Sequence, residues 1–99
     1  MLLVKYFDWN EEKNQKLKAE RDVSFEEVVN AISDGNLLDL LEHPNRKKYG
    51  HQKVMVVRIA EYVYLVPFVE DKEKIFLKTI IPSRQATKKY LFGKGAKKL

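Results

Sequence analysis

Three apolar segments lie almost end to end between Lys53 and Ile81, and they constrain the fold more than anything else in the chain. They are Lys53–Ile59, Tyr62–Val69 and Lys74–Ile81, all rich in β-branched and aromatic residues. Ala60-Glu61 joins the first pair and Glu70-Asp71-Lys72-Glu73 the second. Connections this short cannot carry a crossover, so the strands must run antiparallel as a meander. Pro67 inside the second segment predicts an edge, a bulge or a strand end there, because proline has no N–H to donate. The rest of the chain must then cover this sheet.

The third strand leads directly into a helix. Pro82 is expected to end the strand, Ser83 to cap a helix N-terminus, and Arg84–Tyr90 to form a short helix that ends near Phe92. Gly93 and Gly95 are its stop signals. A strand end that turns into a helix N-terminus is expected to expose unpaired N–H groups, which favour anions. Arg84 beside them adds a planar fork suited to phosphate.

Before the meander the sequence predicts a strand at Val4–Phe7 and a helix at about Asn10–Arg21. Asp8 or Asn10 caps that helix, and Glu11 and Glu12 suit its first turn. Only Leu17 and Ala19 are apolar inside it, so it reads as a surface helix anchored by Trp9 at its base. Ser24 opens a second helix, and Glu27 completes a capping box in S-F-E-E. Phe25, Val28, Val29 and Ile32 form its apolar face, and Asp34-Gly35-Asn36 stops it. Leu37–Leu41 is ambiguous between a strand and a helical turn. His43–His51 reads as a loop on its proline, asparagine, glycine and basic run. The layout is β-α-α-β-β-β-α, an α+β class with helices packed on one face of an antiparallel sheet and a short C-terminal helix. Residues 1–92 read as one domain and 93–99 as a basic, mobile tail.

With 44% hydrophobic and 33% charged residues, this is the composition of a globular protein and not of a disordered chain. There is no cysteine, which excludes disulfides and thiolate chemistry. Lys5 and Asp8 interrupt the apolar start, so neither a signal peptide nor a membrane span is expected, and the cytoplasm is the expected location. The formal net charge is +5. Its distribution says more. Asn45–Ile59 holds Arg46, Lys47, Lys48, Lys53 and Arg58 and no acid, and after Glu73 the chain is again free of acids. A one-sided basic surface suits nucleic acid or an acidic partner.

Two stretches resemble a known family. Phe7-Asp8-Trp9-Asn10 with Lys13, then Val23-Ser24-Phe25-Glu26-Glu27-Val28, is similar to the N-terminal signature of BrnT-type toxins. Ile80-Ile81-Pro82-Ser83-Arg84-Gln85-Ala86-Thr87 is similar to the family's I-I-S-A-R-x-A-T. Arg21 stands where the family has a histidine. A longer basic segment after Glu42-His43-Pro44 replaces the family's loop. The resemblance implies a RelE-like α+β fold and a ribonuclease toxin of a type II toxin–antitoxin module. It also implies a ribbon-helix-helix antitoxin as partner.

Cleavage of RNA by its own 2′-OH needs a proton acceptor, positive charge on the phosphate and a donor to the leaving 5′-oxygen. No metal or other cofactor is expected: two histidines eight residues apart, without cysteine, make a poor metal site. Arg84 is the expected phosphate holder and His43 the expected acid or base, with His51 second. Arg46, Lys47, Lys48, Tyr49, Lys53, Lys78 and Lys88 are expected to bind RNA, and Lys13 and Arg21 to add charge. The ribosome is a further candidate partner. Two rival readings stand beside this one: a catalytically degenerate module that binds nucleic acid or antitoxin, and a structural partner whose basic face docks an acidic antitoxin. For Arg84 the bland alternative is an ion pair with Glu26, Glu27 or Glu42.

Overall fold

The structure, a computed structural model, describes residues 5–43 and 45–93, with the backbone alone at Arg46 and Tyr49. Strand β1 (Tyr6–Asp8) leads to helices α1 (Glu11–Arg21) and α2 (Phe25–Ser33). Strand β2 (Leu37–Glu42), helix α3 (Arg46–Tyr49) and strands β3 (Lys53–Ile59), β4 (Tyr62–Glu70), β5 (Lys74–Leu77) and β6 (Ile81–Pro82) follow. Helix α4 (Arg84–Thr87) runs on into a π-helical turn over Lys88–Phe92. The sheet order is β1-β5-β4-β3-β2, with β6 also on β4. It is an open α+β sheet.

The N-terminal half follows its caps. Asn10 accepts from the Lys13 N–H, and Ser24 and Glu27 close both bonds of the capping box. The C-cap of α1, Asp22, takes a left-handed φ of 55°. Trp9 stacks on Phe25 with ring centroids 5.5 Å apart. Phe25, Val28 and Ala31 of α2, with Leu17 of α1, pack on Met55, Val57, Val66, Phe68, Leu77 and Ile80. Each fully buried side chain of this size contributes about 1.5–3 kcal/mol. The opposite face of the sheet is covered by α4 and the π turn, where Ala86, Tyr90 and Leu91 meet Val56 and Val63. The helices therefore cover both faces.

One residue of α1 behaves unlike the rest of that polar helix. Asn14 is fully buried. Its Oδ1 accepts from the Phe25 N–H at 2.8 Å, and its Nδ2 donates to Glu26 Oε1 at 2.8 Å. It supplies the partner for an N–H at the start of α2 that has no carbonyl within the helix. Asn14→Ala is expected to cost about 2 kcal/mol, because a buried donor loses its acceptor. A urea midpoint that does not move would contradict this. Ala19 is exposed and takes no part in the core.

Several sequence expectations need correction. The first strand is Tyr6–Asp8, and it pairs parallel with β5, so the sheet is mixed; Val4 lies outside the described residues. Leu37–Leu41, open in the sequence between a strand and a helical turn, lies in the strand Leu37–Glu42. The loop His43–His51 contains a helical turn, because the Asn45 side chain accepts from the Lys48 N–H and arginine and lysine are good helix formers. Of the tail, Lys94–Leu99 lie outside the described residues. Gly93 closes the π turn: a Cβ there would stand 2.6 Å from the Lys89 carbonyl oxygen.

The third strand is also split, and the two prolines explain how. Pro67 lies opposite Val54, and its carbonyl accepts from the Lys78 N–H at 2.8 Å. Its missing N–H thus falls on the side away from β3, where Lys78–Ile80 leave the ladder between β5 and β6. Pro82 is the last residue of β6, as expected, and it is itself a strand residue, opposite Tyr64. The next residue, Ser83, donates its N–H to the Val63 carbonyl. That alternation turns the missing donor of Pro82 toward the open edge, where proline is tolerated.

Candidate functional site

The junction between β6 and α4 is held from inside. Ser83 Oγ accepts from the Ala86 N–H at 3.0 Å, and the Thr87 N–H returns to the Ser83 carbonyl. Thr87 is buried; its hydroxyl donates to the Ser83 carbonyl and accepts from the Val63 N–H. These bonds fix the start of α4 on β4. They also occupy N–H groups that an anion was expected to meet, so the burden of holding a phosphate moves to side chains. Arg84 is exposed, and among the described residues it pairs with none of Glu26, Glu27 and Glu42.

Beside this junction lies a groove of about 400 Å³. Leu41, Val56, Leu65 and Ala86 make its apolar floor, with Ser83, Gln85, Lys89 and Tyr90 around them. Tyr90 closes the groove toward β2 by donating its hydroxyl to Asp39 Oδ2 at 2.8 Å. That bond, with one from the Leu40 N–H, holds the Asp39 carboxyl below its ordinary value. Burial, then the same bond, raises the Tyr90 phenol above its own. The Asp39 contribution is present above the ordinary carboxylate value of 3.8 and is lost as the pH falls through the lowered one. The Tyr90 contribution is present below 10.0 and is lost as the pH rises through the raised value. The C-terminal turn is therefore expected to stay docked between these limits and to loosen outside them. Tyr90→Phe removes both flanks. Tyrosine ring NMR shifts followed against pH test this, and a flat profile in both proteins would contradict it.

The expected site residues divide into three groups. Arg84 and Lys88 stand exposed on the C-terminal segment. Lys78 Nζ lies 5.8 Å from the Phe76 ring centre, as does Lys74 Nζ. Alternation along β5 places these three side chains on the same sheet face as α4, because Leu77 points into the α1–α2 core. A second group sits at the far end of β3. The His43 N–H extends the β2–β3 ladder to the Gln52 carbonyl, and His43 Nδ1 accepts from the Asn45 N–H at 3.1 Å. Lys47, Lys48 and His51 are exposed there. The side chains of Arg46 and Tyr49 lie outside the described residues.

The third group belongs to the α1–α2 side. Lys53 pairs across the sheet with Phe68, a core residue of that face. Lys13 lies in the first turns of α1. Arg21 donates to the Ile80 carbonyl at 2.6 Å, so it clamps the backbone where the third strand breaks.

His43 and Arg84 do not come together. His43 is level with Gln52, whereas Ser83 bonds to Val63, which pairs with Arg58. Six residues of β3 separate these levels, about 20 Å at strand rise. The groove lies between them: Leu41, two residues before His43, lines it, and Arg84 is flanked by its lining residues Ser83 and Gln85. Gln85, Lys89 and Tyr90 were not anticipated as site residues. The signal was there, since Gln85 and Lys89 are four apart and share one helix face. On the other face, Tyr62 and Tyr64 meet edge to face with centroids 5.6 Å apart. Burial first, then the charge of Glu27, raises the Tyr64 phenol.

The model of the family described as "Ribonuclease toxin, BrnT, of type II toxin-antitoxin system" matches residues 9–89. This chain belongs to the BrnT toxin family. A 1.1 Å crystal structure of the Brucella abortus ribonuclease toxin BrnT has a similar fold, with a TM-score of 0.56 at 13% identity. The match covers 83% of this chain and 100% of that one. At that identity the likeness speaks for the fold alone. Curated proteins give no significant match. BrnT toxins are ribonucleases of type II toxin–antitoxin systems, so RNA is the substrate and an antitoxin the partner. Among the described residues no helix is long and apolar enough to cross a membrane. No three histidine, aspartate or glutamate side chains among them gather as a metal-binding group.

Proposed function

We propose that this chain is an endoribonuclease toxin that cuts RNA without a metal, on the sheet face carrying α4, and so halts translation in the cytoplasm. The observation that carries the reading is the exposed Arg84, which forms no ion pair among the described residues and directly follows Ser83, a lining residue of the groove. Arg84 holds the phosphate next to the attacking 2′-OH and meets the charge that develops on its oxygens. The 2′-oxygen bonds to phosphorus and the 5′-oxygen leaves, giving a 2′,3′-cyclic phosphate and a 5′-hydroxyl. His43, His51, Lys47 and Lys48 stand too far away to act on that phosphate. They hold the RNA beyond the groove, as Lys78 and Lys88 do along it. As the 2′-oxygen attacks, its proton passes to solvent or to a group contributed by the ribosome, and the leaving 5′-oxygen takes a proton from the same sources. Residues 1–92 form the toxin unit, and a ribbon-helix-helix antitoxin neutralises it. Family membership favours this catalytic reading over the two binding-only ones.

The test is cleavage of a 5′-labelled RNA by purified protein in EDTA, with and without ribosomes. The expected products end in cyclic phosphate. Cleavage that appears only when Mg²⁺ is restored would overturn the metal-free reading. A strong gain on adding ribosomes would support a contributed proton acceptor.

A further inference from the structure

Holding a phosphate at Arg84 leaves the chemistry of the groove unused. Its floor of Leu41, Val56, Leu65 and Ala86 is apolar, and its volume of about 400 Å³ falls within the range of small-ligand pockets. The Gln85 carboxamide lines it and makes no hydrogen bond to another described residue. An amide offers a donor and an acceptor side by side. Lys89 lines the same groove, its Nζ 5.3 Å from the Tyr90 ring centre, and it forms no ion pair among the described residues. Apolar floor, amide and ammonium together match a flat base with polar edges next to a phosphate.

We propose that this groove is a nucleobase subsite that takes a purine from the RNA strand whose phosphate Arg84 holds. The proposal rests on the RNA-cleaving reading above and adds the substrate class. Gln85 pairs with the position-6 group and N1 of the ring. Adenine presents a donor and an acceptor there and guanine the reverse, and the amide turns over to suit either. Lys89 donates to N7, an acceptor in both purines and absent from pyrimidines. The two-ring base also covers more of the apolar floor than a pyrimidine does.

The probes are the four nucleoside 3′-monophosphates, titrated into the full chain while backbone amide NMR shifts are followed. Adenosine and guanosine 3′-monophosphates are expected to bind about tenfold more tightly than the cytidine and uridine forms. The moving signals should be those of Gln85, Ala86, Lys89 and Tyr90. Gln85→Leu and Lys89→Met together should cut the preference to the few-fold that the apolar floor alone gives, without moving the thermal midpoint, since both side chains are exposed. Equal binding of all four nucleotides, shifts confined to other residues, or a preference undiminished in the double variant would each overturn the subsite. Labelled-RNA cleavage by wild type and Arg84→Ala, run in parallel, separates the two ideas. Arg84-dependent cleavage with unmoved groove signals overturns the subsite and leaves the cleavage reading standing. Purine-selective binding at these signals, with Arg84→Ala cleaving like wild type, supports the subsite and removes Arg84 from the chemistry.

Discussion

Arg84→Ala is expected to lower the kcat/KM of RNA cleavage by about 10²- to 10³-fold, the usual cost of losing one donor to developing charge. Stability should stay within about 0.5 kcal/mol, because the side chain is exposed and carries no ion pair among the described residues. Arg84→Lys should fall between the two, since it keeps the charge but loses the two-pronged contact. His43→Ala should behave differently. It stands at the other end of β3, so RNA should bind a few-fold more weakly, by about 1 kcal/mol for a phosphate-side contact, with kcat unchanged. Initial rates on labelled RNA, with thermal melts alongside, separate these cases. If Arg84→Ala cleaves at the wild-type rate while His43→Ala is inactive, the chemistry belongs to the α3 end, and the site has been placed at the wrong end of the sheet.

Phe25→Ala is expected to cost about 3–5 kcal/mol. That is a large part of the roughly 5–15 kcal/mol that holds a domain folded. Phe25 is fully buried and stacks on Trp9. It stands at the start of α2, where Asn14 takes its N–H. Truncation therefore opens a cavity just where α1, α2 and the sheet meet. Phe25→Leu should cost much less, because it refills most of that volume. Urea unfolding measures both, and a shift below about 1 kcal/mol for alanine would show that the site collapses without strain. Lost toxicity in this variant would report unfolding and would say nothing about catalysis.

What the sequence shows plainly is what neighbours in the chain decide. Asn10, the Ser24–Glu27 box and the Ser83 cap are all local arrangements, and all formed as read. The β3–β4 hairpin is equally local. What stayed open or was misread depends on distant segments. Leu37–Glu42 is a strand because β3 lies beside it. The third strand breaks because of Pro67, a residue of its neighbour. Asn14 reads as one more polar residue of a surface helix until α2 brings its unpaired N–H alongside. Near the groove, the exposed position of Arg84 just after the Ser83 cap was legible from its place after Pro82-Ser83. The separation from His43 was not, because it depends on which way α4 crosses the sheet. The groove needed β2, β4 and α4 together.

The parallel pairing of β1 with β5 carries a consequence for the birth of the toxin. Tyr6–Asp8 is made early, yet its partner Lys74–Phe76 comes after the whole β3–β4 hairpin. Arg84 and the groove residues of α4 are made later still. A nascent chain emerging from the ribosome cannot complete its sheet, or present the arginine proposed to hold the phosphate, until synthesis is well advanced. On the proposed reading, the order of the chain itself delays RNA cleavage until most of translation is done. A chain stopped before Lys74 should leave β1 without a partner and lack any RNA-cleaving activity.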